Sequence, residues 1–183
     1  MQAEKAPIQE QEICVGCGFC CDGTLFVHAL LDPGERGDLP EMIEQSAYSQ
    51  GDKDYFRLPC RYFSGKCSIY YSRRAHICGA YRCQLLKDFI KKSVSLEKAL
   101  EVIERARETR RELLEEYGRL TGRSESIHFM QVLRELGKHN PQDQGEEVPG
   151  MGYEVFLARC NIFETLLIKH FRSADDFEKM IMR

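Results

Sequence analysis

The chain has 183 residues, 43% of them hydrophobic and 30% charged, enough to bury one core, or one core and a small module that needs a staple; a disordered tail is excluded. A net charge of -3 and a pI near 6.0 give no general reason to expect a nucleic-acid binder, which needs Lys and Arg clustered on one face. The longest apolar-rich stretches, VFLARC and IFETLLI, are broken by Arg159 and Glu164 and are too short to span a bilayer.

The first residues, MQAEKAPIQEQEI, carry Glu4, Glu10 and Glu12 and lack the basic-then-apolar plan of a signal peptide, so the expectation is a soluble cytoplasmic protein. In that compartment nine cysteines read as metal binding or redox chemistry. Four disulfides and a spare thiol are the competing account for an exported chain.

Eight of the nine cysteines lie between residues 14 and 83. The first four stand in CVGCGFCC as Cys14, Cys17, Cys20 and Cys21. Two overlapping CxxC units predict three thiolates on one short loop, with Gly16 and Gly18 supplying backbone freedom, as in the first three ligands of a bacterial ferredoxin run. Adjacent side chains point in different directions, so Cys20 and Cys21 are poor chelators of one ion. They serve two centres, or different irons of one cluster, or one of them only packs.

Turn-rich stretches follow at 32–40 (DPGERGDLP) and 49–54 (SQGDKD), and PEMIEQSAY between them predicts a short helix with Pro40 at its first position. The second cysteine group is CRYFSGKCSIYYSRRAHICGAYRC, holding Cys60, Cys67, Cys78 and Cys83. RYF and SIYY flank Ser64-Gly65, which reads as a two-residue hairpin turn. Tyr62 then faces Cys67, with Cys60 its diagonal neighbour on the same face. A helix starting near Gly79 or Ala80 would place Cys83 in its first turn, where amides favour a thiolate, and Cys78 in the loop before it.

From Ser95 the period becomes helical. Leu96, Ala99, Leu100, Ile103, Ala106, Leu113, Leu114, Tyr117 and Leu120 form one stripe that stops at Thr121-Gly122. Arg110 falls on it, its stem packing while its head reaches water. Further helices are expected in SIHFMQVLRELG, over 153–171, and from Ser173, with 137–152 a polar loop.

Residues 60–92 carry eight Lys or Arg against one acidic residue, whereas residues 1–59 carry four against eleven. Arg61, Lys66, Arg73, Arg74, Arg82 and Lys87 can offset a thiolate-bound centre or form a solvated basic face. His76 and His28 are minor candidates as a further ligand, and Cys160 reads as a small core residue. Tyr62, Tyr70, Tyr71 and Tyr81 read as a small core around the site in preference to a base-stacking surface. No nucleophile with a matched base, phosphate loop or HExxH motif is present, so the chain is not read as an enzyme by itself.

CVGCGFCC followed by CRYFSGKCSIYYSRRAHICGAYRC resembles the CxxCxxCC cysteine-cluster family of bacteria and archaea, described as a zinc- or iron-chelating, YkgJ-like domain. All eight cysteines match, supported by Ser68-Ile69-Tyr70 and Tyr81. Ala75 stands where the family tends to have Pro, and Gly79 where Arg is usual. The resemblance covers about residues 13–90 and implies metal binding more than a biological task. A similar cluster region occurs in flagellin lysine methylases.

The expected architecture is mainly α, with a small irregular Cys-rich module containing a short β-hairpin and a helical bundle in the second half. Residues 1–92 form the metal-binding module and 93–183 the helical region packed on it. The expected function is an iron-sulfur cluster such as [4Fe-4S], or zinc, held by the eight cysteines in a structural or redox role. The alternatives are an accessory subunit or enzyme domain of the methylase kind, or a zinc-stabilised interaction module. A protein partner would dock on the basic region 60–92 or on helix 95–120.

Overall fold

The computed structural model describes residues 8–123, 127–138, 151–172 and 180–181. Its organising element is the long helix α5 (Leu96–Thr121). Ser95 caps it by accepting from the Lys98 N–H, and Gly122 ends it in the left-handed conformation, returning its own N–H to the Gly118 carbonyl. Both ends lie where the sequence puts them.

Of the expected stripe, Ala99, Ile103, Ala106, Leu113 and Tyr117 are buried, while Leu120 is exposed. The stripe meets α7 (Met151–His170), which buries Phe156, Cys160, Phe163 and Leu167 at heptad spacing. Phe156, Phe163 and Leu167 each contribute about 1.5–3 kcal/mol by leaving water. Arg159 fastens the pair by bonding Glu112 at 2.8 Å and Glu116 one turn on. The helix α6 (Phe129–Lys138) adds Phe129, Val132 and Leu136, with Phe129 edge-on to Phe163 at 4.8 Å. The remaining helices are α1 (Ile8–Cys17), α2 (Glu41–Ser46), α3 (His76–Ala80) and α4 (Gln84–Ile90). α1 packs on α5 and α4, and α4 also touches α7.

The first half also contains a sheet that the sequence reading did not foresee. Its strands β1 (His28–Leu30), β2 (Ala47–Gln50), β3 (Lys53–Arg57) and β6 (Met180–Ile181) run antiparallel in the order β2-β3-β1-β6. The turn expected at 49–54 is real but reduces to residues 51–52, and its flanks are strands. Pro40 lies one position before its helix, at the N-cap.

A second ribbon pairs β4 (Phe63–Ser64) with β5 (Lys66–Cys67). It turns on Gly65 alone, at φ 72°, so Phe63 and not Tyr62 faces Cys67. The positive φ of one glycine closes the turn with one residue fewer than expected, and that shifts the register. The helix expected from Ser173 lies outside the described residues over 173–179, and residues 180–181 are strand.

The fold is therefore mainly helical with a short hairpin and a helical second half, as expected, and the four-stranded sheet is added to that plan. A single buried cluster includes residues of both halves, among them Phe19, Leu25, Phe56, Leu85, Ile103 and Phe163. Among the described residues, no helix is long and apolar enough to cross a membrane.

A polar knot joins α5 to α6. Tyr117 donates to Glu135 Oε2 at 2.5 Å, Arg123 to the same oxygen at 2.8 Å, and Gln131 to Oε1 at 3.1 Å. These donors, Tyr117 first, hold the Glu135 carboxyl down at about 2, against an ordinary value of 4.5. A carboxylate held down in the folded state stabilises it above pH 4.5, and that contribution drains away as pH falls toward 2. Thermal melts of wild type and Glu135→Gln should therefore differ most near neutrality and converge through this window. A gap independent of pH would show that the carboxylate is not held this way.

Candidate metal centre

The first cysteine group begins on a helix, not on a loop. Cys14 and Cys17 lie three residues apart in the last turn of α1, hence on one face. The chain leaves the helix at Gly18, whose φ is 71°. Its N–H returns to the Cys14 carbonyl, and its carbonyl accepts from the amides of Cys21 and Asp22 at 2.9 and 3.0 Å. This folds Cys20 and Cys21 back beside the helix end. A Cβ on Gly18 would also lie 2.4 Å from the Phe63 ring, so the site needs glycine for both torsion and space. Gly16 has no such role: it is helical, with open space where a Cβ would stand.

The second group is tied to the first through the backbone, since the Cys60 N–H donates to the Cys21 carbonyl at 2.7 Å. A turn then closes from the Phe63 N–H to the Cys60 carbonyl, and the β4–β5 ribbon presents Cys67. Cys78 lies on α3, where a loop was expected, and Cys83 is the N-cap residue of α4. The 76–90 segment is thus two short helices broken at 81–83.

All eight cysteines line one chamber of about 90 Å³, whose other walls are mainly apolar, including Ile13, Phe19, Leu25 and Ile77. Cys160 is buried in α7, away from it, as a core residue. His76 and His28 do not line it: His76 Nδ1 faces Asp32 at 2.8 Å, and His28 packs edge-on to Tyr48.

Burial is the main cause that pushes up the thiols of Cys14, Cys17, Cys20, Cys21, Cys60, Cys78 (to about 12) and Cys83 (to about 11). At Cys83 the amides of Leu86 and Leu85 pull the other way without winning. Mutual repulsion adds to burial and links the two groups. Cys20 is opposed most by Cys83 and then by its neighbour Cys21, and Cys17 by Cys83 and then Cys14. Cys21 is opposed most by Cys78, then by Cys14, Cys60 and Cys67, while Cys78 is opposed by Cys60 and Cys67. Thiols of each cysteine group are thus opposed by thiols of the other, Cys14 by Cys67, Cys20 by Cys83 and Cys21 by Cys78.

Among the described residues, no three His, Cys, Asp or Glu side chains converge as a group able to hold one metal ion as they stand. The sulfurs surround a space, not a point. Its volume is several times the roughly 10–15 Å³ that one water requires.

Of the six basic residues expected to offset such a centre, only Arg74 lines the chamber. Arg61 bonds Gln45, Arg73 pairs with Asp38, and Arg82 bonds Glu10 at 3.2 Å and the Gly79 carbonyl. Tyr70 and Tyr81 line the chamber and Tyr62 accepts the Met42 N–H, but Tyr71 is 79% exposed.

The residue whose partners sequence reasoning missed is Arg110. Its side chain is 23% exposed, and its head pairs with Asp22, donates to Thr24 Oγ1 at 3.2 Å and lies over the Phe19 ring at 5.3 Å. One turn earlier, Arg107 donates to the Gly16 carbonyl at 2.9 Å. The signal was the arginine's place on an otherwise apolar stripe, next to a module rich in uncapped turns.

No family model, curated protein or solved structure matches the chain. The resemblance to the CxxCxxCC family accordingly rests on the cysteine motifs.

Two substitutions test how this site is built. Gly18→Ala should lower stability by at least about 1–2 kcal/mol, the cost of a left-handed alanine before the Phe63 ring is displaced, as read in a denaturant melt. Arg110→Met should cost about 3 kcal/mol by leaving the Asp22 carboxylate buried without its partner. Adding Asp22→Asn should recover part of that loss, and strictly additive effects would show that the pair is not coupled.

Proposed function

We propose that this chain is a metalloprotein whose Cys14, Cys17, Cys20, Cys21, Cys60, Cys67, Cys78 and Cys83 hold an inorganic centre, an iron-sulfur centre in preference to zinc. The observation that carries the reading is the meeting of eight thiols, drawn from two separate sequence groups, around one buried and mainly apolar chamber. A protein that gathers eight thiols, most of them partly buried, around one chamber at mutual cost gains from a cation that makes their charged form favourable.

The spacing of the donors supports the preference for iron and sulfide. Thiolates bound to different irons of a cluster stand farther apart than ligands closing a tetrahedron on one zinc ion. Eight donors around one chamber, with the neighbours Cys20 and Cys21 among them, suit two centres or one extended centre. An iron-sulfur centre there supplies one-electron transfer, whereas closed zinc sites supply folding energy alone. The protein's part is to position the sulfurs, exclude water with Phe19, Leu25 and Ile77, and set Arg74 at the wall.

Protein purified without oxygen should be brown, bleach in air, and contain iron and acid-labile sulfide in equal amounts. Cys83→Ser and Cys21→Ser should each lose metal, while Cys160→Ser should keep it. Zinc without sulfide would replace the preferred centre by structural zinc. Fully folded protein free of metal would overturn the reading altogether.

A further inference from the structure

Outside the chamber runs a groove of about 1400 Å³, bounded by the loop 32–39 on one side and residues 70–82 on the other. Cys14, Tyr70, Arg74, Cys78 and Leu86 line both, so the inner end of the groove is the outer wall of the chamber.

Most of the groove's basic side chains are already committed. Arg73 is paired with Asp38, His76 with Asp32, and Arg82 with Glu10 and backbone carbonyls. Arg74 differs. Half-buried, it has no carboxylate or hydrogen-bond acceptor among the described residues; it lies over the Tyr70 ring, 4.3 Å from the guanidinium carbon, and its charge favours the ionised thiols of Cys14 and Cys78. Stacking on a ring uses the face of the guanidinium and fixes its plane, leaving the N–H donors at its edge unused. A fixed fork of this kind matches the two oxygens of a carboxylate or phosphate. Beside it, Tyr71 stands edge-on to Tyr70 at 5.2 Å and is 79% exposed, an aromatic surface with nothing described covering it.

We propose that the groove binds a small organic oxyanion, a carboxylate or phosphate ester with an aromatic or apolar body. Arg74 clamps its anionic group against the chamber wall at Cys14 and Cys78, and Tyr71 receives its body. Glu10, Asp32, Glu35 and Asp38 also line the groove, so the site stands on Arg74 and the Tyr71 ring and not on the groove's overall charge. It makes the chamber wall the point at which a bound small molecule comes nearest to the cysteines.

Calorimetric titration of the full chain with phenyl phosphate and with benzoate tests this. Either should bind saturably and more tightly than inorganic phosphate, which lacks the body, and the tighter of the two identifies the preferred oxyanion. Arg74→Gln should weaken binding by about tenfold or more, as expected for loss of a charge-assisted fork, and Arg74→Lys, which keeps charge without the fork, by less. Arg73→Gln, whose partner is Asp38, should change affinity by less than about twofold. Metal content and thermal melts on the same samples separate this site from the chamber. Protein without metal that still binds through Arg74 sustains the groove and overturns only the chamber's assignment. No saturable binding, or equal affinity in Arg74→Gln and wild type, overturns the proposal; so does an Arg74→Gln variant that loses metal while still binding the anion, since Arg74 then serves the chamber alone.

Discussion

The ion pair between Arg110 and Asp22 carries a constraint on which much else depends. A long helix can bury a guanidinium on its apolar face only if that face meets an acceptor, and the acceptor here belongs to the turn that carries Cys20 and Cys21. The pair therefore sets where the cysteine turn lies along α5. Arg107 repeats the contact one turn earlier at the Gly16 carbonyl, so α5 grips both the end of α1 and the turn beyond it. The helical half serves as the frame against which the thiols are positioned.

From that frame the second cysteine group follows by short steps. The Cys60 amide docks on the Cys21 carbonyl, the β4–β5 ribbon places Cys67, and the paired helices α3 and α4 bring Cys78 and Cys83 from the other side. Phe63 lies over Gly18, so the ribbon also closes on the turn where α1 ends. The price of this closure is the burial of many thiols with like-signed charged forms. The same closure leaves a single arginine, Arg74, facing both the chamber and the groove outside.

What could be read from the sequence depended on how local its cause is. Ser95 and Gly122 bound α5 because caps are short-range chemistry, and the stripes of α5 and α7 emerge because many residues repeat one period. The β4–β5 register was missed by one residue because a single left-handed glycine decides it. The main sheet was missed because its strands are two to five residues long, too short for alternation to show, and one comes from the far end of the chain. Cys14 and Cys17 were expected on a loop, since CxxC with glycines looks like a turn, yet three-residue spacing serves equally well on a helix. The spacing did single out the eight cysteines that share a chamber. It had no means of showing Arg110's partner, which is set by tertiary contact.

The pairing of β6 with β1 has a consequence for the order in which the protein is made. Residues 28–30 emerge early in synthesis, but the strand that covers their edge is residues 180–181. Until residues 180–181 leave the ribosome, β1 has an open edge, and α7, which packs on α5 and α4, also follows the cysteine groups by a long stretch of chain. The cysteine-rich half thus stays unfinished until residues far downstream of it are made, its thiols reachable by oxidants, stray metal and one another. A chain built this way favours filling its chamber after those downstream contacts close the fold around it.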